Sequence, residues 1–339
     1  VAHSEVGIPD LSLPGLTPAV EVLLATYNGE RFLGEQIDSI LAQDYPRLRI
    51  LVRDDGSQDA TWSILCQYAG KYPSQIRLMD DRTPTGSPQG NFLRLMLAAT
   101  ADYVCFADQD DVWLPDKVSR SMAAMKHLEQ QHGTDAPLLV FSDLRVVDED
   151  LRPIAPSMWR RLAVEPNSAQ RLERLLGRSV VTGCTMAINP ALLRRARRMP
   201  PEAAMHDRWI ALLAACMGAS GIVSGQTVLY RQHADNAIGA AASDGSMPGL
   251  ARRAARGGNR RAERLRCESM AEALLRLHAD EMPPRSAATL RAFLRSGRSD
   301  SALERVLLTL RHGFRRGHPL KTLVTLFDLA RARSTDADA

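Results

Sequence analysis

Phe106-Ala-Asp-Gln-Asp-Asp-Val-Trp-Leu-Pro-Asp-Lys117 joins an apolar run to an amphipathic segment through three aspartates in four residues. The apolar run at 102–107 predicts a buried strand, and the amphipathic segment at 114–131 predicts a helix with Pro115 in its first turn. Asp108, Asp110 and Asp111 then sit where the carboxyl end of a strand opens into a loop, the edge at which open α/β sheets bind ligands. Carboxylates this close repel one another unless a positive charge lies among them. A hard divalent cation that also holds substrate phosphates answers that need, since Mg²⁺ and Mn²⁺ take oxygen ligands from carboxylate and phosphate. A plain solvated loop, with Asp111 or Asp116 capping the next helix, answers it equally well on these residues alone.

The chain before this stretch alternates strands and helices. Strands are expected at 20–25, 48–53 and 76–79, and helices at 30–43 and 59–69. A turn-rich loop at 80–90 leads to a helix that ends near residue 99, with Asn91 expected as its cap and as a support for the acidic loop. Such alternation implies βαβ units and a mostly parallel sheet. Thr26-Tyr-Asn-Gly29, Asp54-Asp-Gly-Ser57 and Asp108-Gln-Asp-Asp111 follow the first, second and fourth strands and should line one crevice. Neither G-x-x-x-x-G-K-[ST] nor G-x-G-x-x-G is present, which excludes a P-loop NTPase and an ordinary dinucleotide-binding fold. A nucleotide whose diphosphate is held by a metal fits what remains.

After the acidic loop, a strand is expected at 138–142, a turn at 143–148, a helix at 172–176 and a strand broken by Gly183 at 180–188. An apolar helix at 205–217 opens with His206-Asp-Arg-Trp209, and a strand at 222–230 ends in Arg231-Gln-His-Ala-Asp-Asn236. Composition, at 45% apolar and 24% charged, is that of a soluble globular protein. Residues 1–239 carry 24 Lys+Arg against 28 Asp+Glu, whereas 240–339 carry 19 against 11, so a net −4 gives way to +8. That break, with Gly, Ala and Ser at 240–248 as a linker, suggests an N-terminal extension at 1–19, a catalytic domain at 20–239 and a basic helical region at 240–339. Five cysteines lack metal spacing, and Cys66, Cys105 and Cys216 lie in apolar stretches, as buried free thiols of a reducing compartment do. No signal peptide and no apolar run long enough to span a bilayer is seen, so a cytoplasmic protein is expected.

Ala25-Thr-Tyr-Asn-Gly29, Arg53-Asp-Asp-Gly-Ser-Gln-Asp-Ala-Thr61 and Ala107-Asp-Gln-Asp-Asp-Val-Trp113, in this order, resemble a family 2 glycosyltransferase of the GT-A type over residues 20–239. The resemblance implies a GT-A fold, a nucleotide-diphospho-sugar donor, an inverting single displacement and a divalent metal, Mn²⁺ or Mg²⁺. It matches Asp55 to the carboxylate that recognises the base, and Thr26, Tyr27 and Asn28 to the loop around the nucleoside. Asp108 matches the first aspartate of the DxD motif and Asp110 the second, a direct metal ligand, with Asp111 beside it; Asp54 reads as structural. The general base matches Asp207, which would take the acceptor hydroxyl's proton. A plain cap of the helix that follows is the other reading of Asp207, and the two are compatible.

His206 either steers Asp207 or packs. Arg231 and His233, with Asn236, resemble a segment of a bacterial subgroup that includes rhamnosyltransferases, where they either reach the diphosphate or metal or hold a lid. Gly183-Cys-Thr185 is expected on the donor-sugar or acceptor side. The resemblance implies transfer of one sugar, with dTDP-L-rhamnose as the leading donor, to a cell-surface glycan or lipid-diphosphate-linked saccharide. A UDP-hexose or UDP-N-acetylhexosamine donor is the alternative within enzymes, and a non-catalytic sugar-nucleotide-binding protein the alternative outside them. No Q-x-x-R-W segment is present, which sets the chain apart from processive synthases. The basic region either contacts an anionic membrane on the inner face of the plasma membrane or packs on the catalytic domain; few aromatics and no known motif argue against nucleic acid.

Overall fold

The structure, a computed structural model, describes residues 17–233 and 257–314, with side chains in the second stretch from residue 262 onward. A parallel block forms its frame: β1 (Val20–Thr26), β2 (Leu48–Asp54), β3 (Ile76–Leu78) and β4 (Tyr103–Ala107), in the order β3-β2-β1-β4. Register pairs Thr26 with Asp54 and Leu24 with Ala107, so three strands stop at one level. Their following loops leave from one edge, as the sequence motifs required.

Successive side chains point to opposite faces of a strand. Leu23, Val104 and Phe106 therefore enter one core, while Val22, Leu24, Cys105 and Ala107 enter the other. The second face is covered by α1 (Leu33–Leu41), α2 (Thr61–Lys71) and α4 (Lys117–His132), through Ile37, Ile40, Leu65, Val118 and Met125. The first is covered by α3 (Pro88–Ala98) and α8 (His206–Met217), through Phe92, Leu95, Trp209, Ile210 and Leu213. Short helices α5 (Met158–Leu162), α6 (Leu172–Leu175) and α7 (Pro190–Ala196) complete that side.

Beyond the acidic loop come β5 (Val112–Trp113), β6 (Leu138–Val147), β7 (Pro153–Ala155), β8 (Ala187–Ile188) and β9 (Ala219–Arg231). β8 lies antiparallel between β4 and β6, and β9 runs parallel to β6. β6 and β9 therefore run in the same direction as β4, and Val147 pairs with Arg231 at the edge that carries the loops. α8 returns against β9 through Gly218, which brings its first turn, with His206 and Asp207, to the same edge.

Several expectations are corrected. Asn91 does not cap its helix: Ser87 does, its hydroxyl accepting from the Gly90 N–H, with Pro88 in the first turn. The helix after the acidic loop begins at Lys117, because Val112 and Trp113 pair with β9 and the Leu114 N–H donates to the Thr227 carbonyl at 2.9 Å. Neither Asp116 nor Asp111 caps it; Asp116 holds the cap position without a side-chain hydrogen bond. The 180–188 strand is instead a 3-10 turn, Gly183–Thr185, followed by the two residues of β8. The expected turn at 143–148 continues β6, held by β9 on one side and β7 on the other through register shifts. Cys66 is exposed on α2, while the other four cysteines are buried, and all five are free.

The basic C-terminal region contributes α9 (Gly257–His278), α10 (Pro284–Arg298) and α11 (Ala302–His312). Cys267, Met270, Leu274, Leu290 and Phe293 join the apolar cluster that holds Trp209 and Ile210. The Ser286 hydroxyl donates to the Cys216 carbonyl at 2.7 Å, and Glu281 binds Arg195 at 3.0 Å and Arg198 at 2.8 Å. Arg264 pairs with Glu268, Arg298 with Glu268 and Glu272, and Arg295 with Glu304. The helices are thus part of the support behind α8. The linker expected at 240–248, residue Asn236 and most of the extension at 1–19 lie outside the described residues. Among the described residues no helix is long and apolar enough to cross a membrane.

A side chain at Gly218 would place Cβ 1.8 Å from the Pro137 carbonyl oxygen. Backbone cannot yield as a side chain does, so Gly218→Ala should destabilise the fold by about 3 kcal/mol, the upper part of the overpacking range. A urea titration followed by far-UV circular dichroism measures it.

Candidate active site

The β1 loop is shaped by its hydrogen bonds. Asn28 takes a left-handed conformation (φ 47), which Asn tolerates better than most residues. Its N–H donates to the Ser57 hydroxyl at 2.8 Å, and its side-chain oxygen accepts from the Gln58 N–H at 2.9 Å. The β1 and β2 loops are thereby locked together. Tyr27 is 55% exposed above this junction, a free aromatic face at the rim. Thr26 is buried, and its hydroxyl donates to Asp54 at 3.2 Å. Asp54 also accepts from the Ser57 N–H at 3.0 Å and from Arg82 at 2.9 Å, so it is wholly occupied in holding the loop.

Asp55 is buried and accepts from Arg53 at 2.7 Å, the Thr85 N–H at 2.8 Å, the Thr85 hydroxyl at 3.0 Å and the Gly86 N–H at 3.2 Å. Both its oxygens are thus shared with the 80–90 loop. Asn91, buried on α3, donates to the carbonyls of Thr26 and Arg53 at 3.2 and 3.3 Å and accepts from Arg53 at 3.1 Å. It supports the β1 and β2 ends rather than the acidic loop.

The acidic loop is clamped from three sides. Gln109 exchanges two hydrogen bonds with the Tyr27 backbone, at 2.8 and 2.9 Å. Only a glycine at position 29 leaves room, since a Cβ there would lie 2.3 Å from the Gln109 side-chain oxygen. Gln36, fully buried on α1, donates to the Asp108 carbonyl at 2.9 Å. Arg231, 1% exposed, donates from Nε to the Asp110 carbonyl at 2.9 Å and from its other nitrogens to the Glu149 carbonyl and Glu35. Its guanidinium lies 4.3 Å over the Phe32 ring. Arg231 therefore holds the loop from behind. His233 places Nε2 2.8 Å from Asp110 Oδ2, beside Phe32.

Burial first, and repulsion second, govern the titration of this loop. Burial, then the charges of Asp110 and Asp207, push Asp108 up to about 7. Burial, then Asp110 and Asp108, push Asp111 well above the carboxylate range. Ligand atoms of Asp108, Asp111 and Cys184 lie within 4.8 Å of one another. Burial, then Asp111 and Asp108, push the Cys184 thiol well up, so it stays a thiol and donates to Asp111. Two of the three are carboxylates, the oxygen donors that a hard divalent ion prefers.

Asp207 opens α8 on the far wall of the crevice, close enough to Asp108 for their charges to act on each other. Its Oδ1 accepts from the Arg208 N–H at 2.6 Å, and the Gly183 N–H also donates to the carboxylate. Burial pushes Asp207 up to about 6, against the pull of those N–H groups and of the Arg208 charge. His206 does not steer it. The imidazole is stacked 3.9 Å from Phe92 and 5.3 Å from Phe106 with neither nitrogen hydrogen-bonded, and burial lowers its pKa to about 3. It is a neutral packing group.

The described residues singled out from the sequence thus lie along one edge, in three groups. Asp55, Thr26, Tyr27 and Asn28 form one wall, Asp108, Asp110 and His233 the floor, and Asp207 the other wall, while Asp111 and Arg231 are turned inward. Gln36, Arg53, Gln109 and Lys117 escaped sequence reasoning. A charged or amide residue on the buried stripe of an otherwise apolar helix, as Gln36 and Lys117 are, was the available signal.

The family model described as "Glycosyl transferase family 2" matches residues 21–195, more than half of the 339. The dTDP-rhamnosyl transferase RfbG of Shigella flexneri is 28% identical over 228 residues, 64% of this chain and 74% of that protein. A Bacillus subtilis protein named as a glycosyltransferase, EpsE, is 31% identical over 139 residues, 41% of this chain and 50% of that one. Among solved structures, S. aureus TarS 1-349 superposes with a TM-score of 0.51 at 15% identity, covering 92% of this chain and 81% of that one. A longer S. aureus TarS structure gives 0.52 at 15% identity over 87% of this chain and 48% of that one, a likeness of fold.

A Cβ at Gly183 would lie 2.8 Å from His206 Nε2 and 3.7 Å from Asp207 Cβ. Gly183→Ala should push the 3-10 turn off α8, remove an N–H from Asp207 and lower turnover about 100-fold, as a misplaced reacting group does. Steady-state kinetics beside a thermal melt separate this from unfolding, which should change little.

Proposed function

The chain belongs to glycosyl transferase family 2, with a GT-A-like fold, and from that premise we propose that it transfers one sugar from a nucleotide-diphospho-sugar by inverting displacement, with Asp207 as the base. The observation that carries this reading is the position of Asp207: a carboxylate across the crevice from the acidic loop, its pKa pushed up to about 6. A general base works best when its pKa lies near the working pH. Ionised at neutral pH, Asp207 takes the proton of the acceptor hydroxyl as the oxygen attacks. The N–H groups of Arg208 and Gly183 fix the carboxylate's orientation and stop it swinging away.

Tyr27, Asn28 and Thr26 shape the nucleoside side, and Asp55 reads the base once the Thr85 and Gly86 donors make room. A Mn²⁺ or Mg²⁺ ion held by Asp110 and Asp111, with Asp108 beside them, would offset the charge that grows on the departing diphosphate. Arg231 keeps the Asp110 backbone in place beneath it. The likeness to a dTDP-rhamnosyl transferase over most of that protein supports dTDP-L-rhamnose as the donor. We assign the acceptor to the cell-surface glycans or lipid-diphosphate-linked saccharides of the cytoplasmic side. Peripheral contact with an anionic membrane would then fall to the basic region at 240–339.

The test is nucleoside-diphosphate release from a panel of sugar nucleotides with Mn²⁺, Mg²⁺ or EDTA, using membrane lipid extract as acceptor. Acceptor-dependent release with dTDP-L-rhamnose should vanish with EDTA and in Asp110→Ala and Asp207→Asn. A donor that fails to bind with metal present would overturn the reading.

The pH dependence has a definite sign. Because the Asp207 pKa is raised, its base form is present above about 6 and is lost as pH falls through that value. Log kcat should drop one unit per pH unit below about 6, and a flat profile from pH 5 to 8 would remove Asp207 from the proton transfer.

A further inference from the structure

The last described helix, α11, is packed with its polar residues inside. Arg305, 3% exposed, donates to the Asp300 carbonyl at 3.2 Å and to the Ser299 carbonyl, just past the end of α10. Thr309, one turn on, is also buried, and its hydroxyl donates to the Arg305 carbonyl at 2.8 Å. The opposite face carries Leu303, Leu307 and Leu310, which are 68%, 55% and 43% exposed. Their i, i+4, i+7 spacing sets them in one stripe, the pattern a helix ordinarily turns toward a core. Among the described residues seven large apolar side chains are exposed, and three of them stand on this one helix, so the stripe is not the single scatter normal on a surface. Charge says what fits over it. Glu304, the acid of α11, is taken up by Arg295 and by the Ser299 hydroxyl. Arg311 follows Leu310, lies one turn beyond Leu307, is exposed, and has no ion pair among the described residues. The wider region at 240–339 carries a net +8. A partner with an apolar interior and a negative surface satisfies both features.

We propose that α11 is a docking surface for an anionic lipid bilayer, with Leu303, Leu307 and Leu310 entering the boundary between headgroups and acyl chains and Arg311 meeting lipid phosphate. The inference rests on the reading above that the acceptor is lipid-linked, and it names the face that meets the membrane. A short apolar stripe and a basic patch are each weak anchors; together they hold a protein reversibly at an interface. Arg305, bonded to two backbone carbonyls, fixes the rotation of the helix and so keeps the leucines outward. The same bonds tie α11 to α10, whose Leu290 and Phe293 belong to the cluster behind α8. Docking through α11 therefore holds the catalytic unit at the surface along which a lipid-linked acceptor diffuses.

The test is flotation of the full chain with vesicles, in the absence of donor and acceptor. Vesicles of phosphatidylcholine alone are compared with vesicles of equal parts phosphatidylcholine and phosphatidylglycerol. Wild type should float with the second and not with the first. The paired change Leu307→Ser and Leu310→Ser should weaken that binding about 10-fold or more, the loss of two inserted leucines. It should leave the thermal melt unchanged, because both side chains already face outward. Arg311→Gln should weaken binding about 5-fold, the share of one basic residue near an anionic surface, and it keeps the test open should the serine variant misfold. Equal flotation with both kinds of vesicle, or by wild type and every variant, would overturn the proposal. A wild-type dimer in light scattering that the serine change dissociates would overturn it as well, by making the face a contact between two copies. A spin label at Leu307→Cys, in a Cys66→Ser background, should be mobile in solution and immobilised on anionic vesicles. A label already immobile in solution would mean that this chain's own residues 315–339 cover the stripe, and that too would overturn the proposal. Vesicle binding by a protein that transfers no sugar would support the docking surface while the transfer reading fails.

Discussion

Negative charge packed along one sheet edge has to be offset by every element that reaches that edge. Burial, then the charges of neighbouring carboxylates, raise the proton affinity of Asp108 and Asp111, and burial raises that of Asp207. Left alone, they would take up protons or pull the loop apart. Each is offset differently. Asp207 has backbone N–H groups at the start of α8, Asp110 has His233, and Asp111 has the Arg231 N–H. Asp108 is pushed up to about 7 by burial and then by Asp110 and Asp207, so an added cation beside it would relieve that repulsion.

The sheet makes this concentration of charge unavoidable. Parallel β1, β2 and β4 end at one level, so their loops share an edge. β8, inserted antiparallel, lets β6 and β9 run the same way and bring Arg231 there as well. α8 must then run backward to reach β9, which presents its N-terminal turn to the crevice. The C-terminal helices pack behind α8 through Met270, Leu274, Leu290 and Phe293. A region that stands apart by composition is continuous with the catalytic core by packing.

Much of this was legible in the sequence because it rests on local signals. Apolar runs at 20–25, 48–53 and 102–107 ended in TYNG, DDGS and DQDD, and the rule that a parallel sheet gathers its loops at one edge did the rest. Tertiary pairing carried what was hidden. Nothing local says that 143–147 stays in a strand, because its turn-like composition is overridden by partners on both sides. Asn91 looked like a cap because Asn favours that role, but Ser87-Pro88 upstream took it and freed Asn91 to tie two strand ends together. Arg231 reads as a ligand-binding arginine at the end of a strand; only three-dimensional packing shows its guanidinium turned inward, onto Glu35 and backbone carbonyls.

The central claim is a single displacement in which one carboxylate, Asp207, activates the acceptor. Its most direct test is the anomeric configuration of the product, read by proton NMR coupling constants immediately after transfer from a donor of known configuration. Inversion at the anomeric carbon is the expected result. Retention would require a nucleophile on the opposite face of the sugar and would contradict Asp207 as the base of a single displacement.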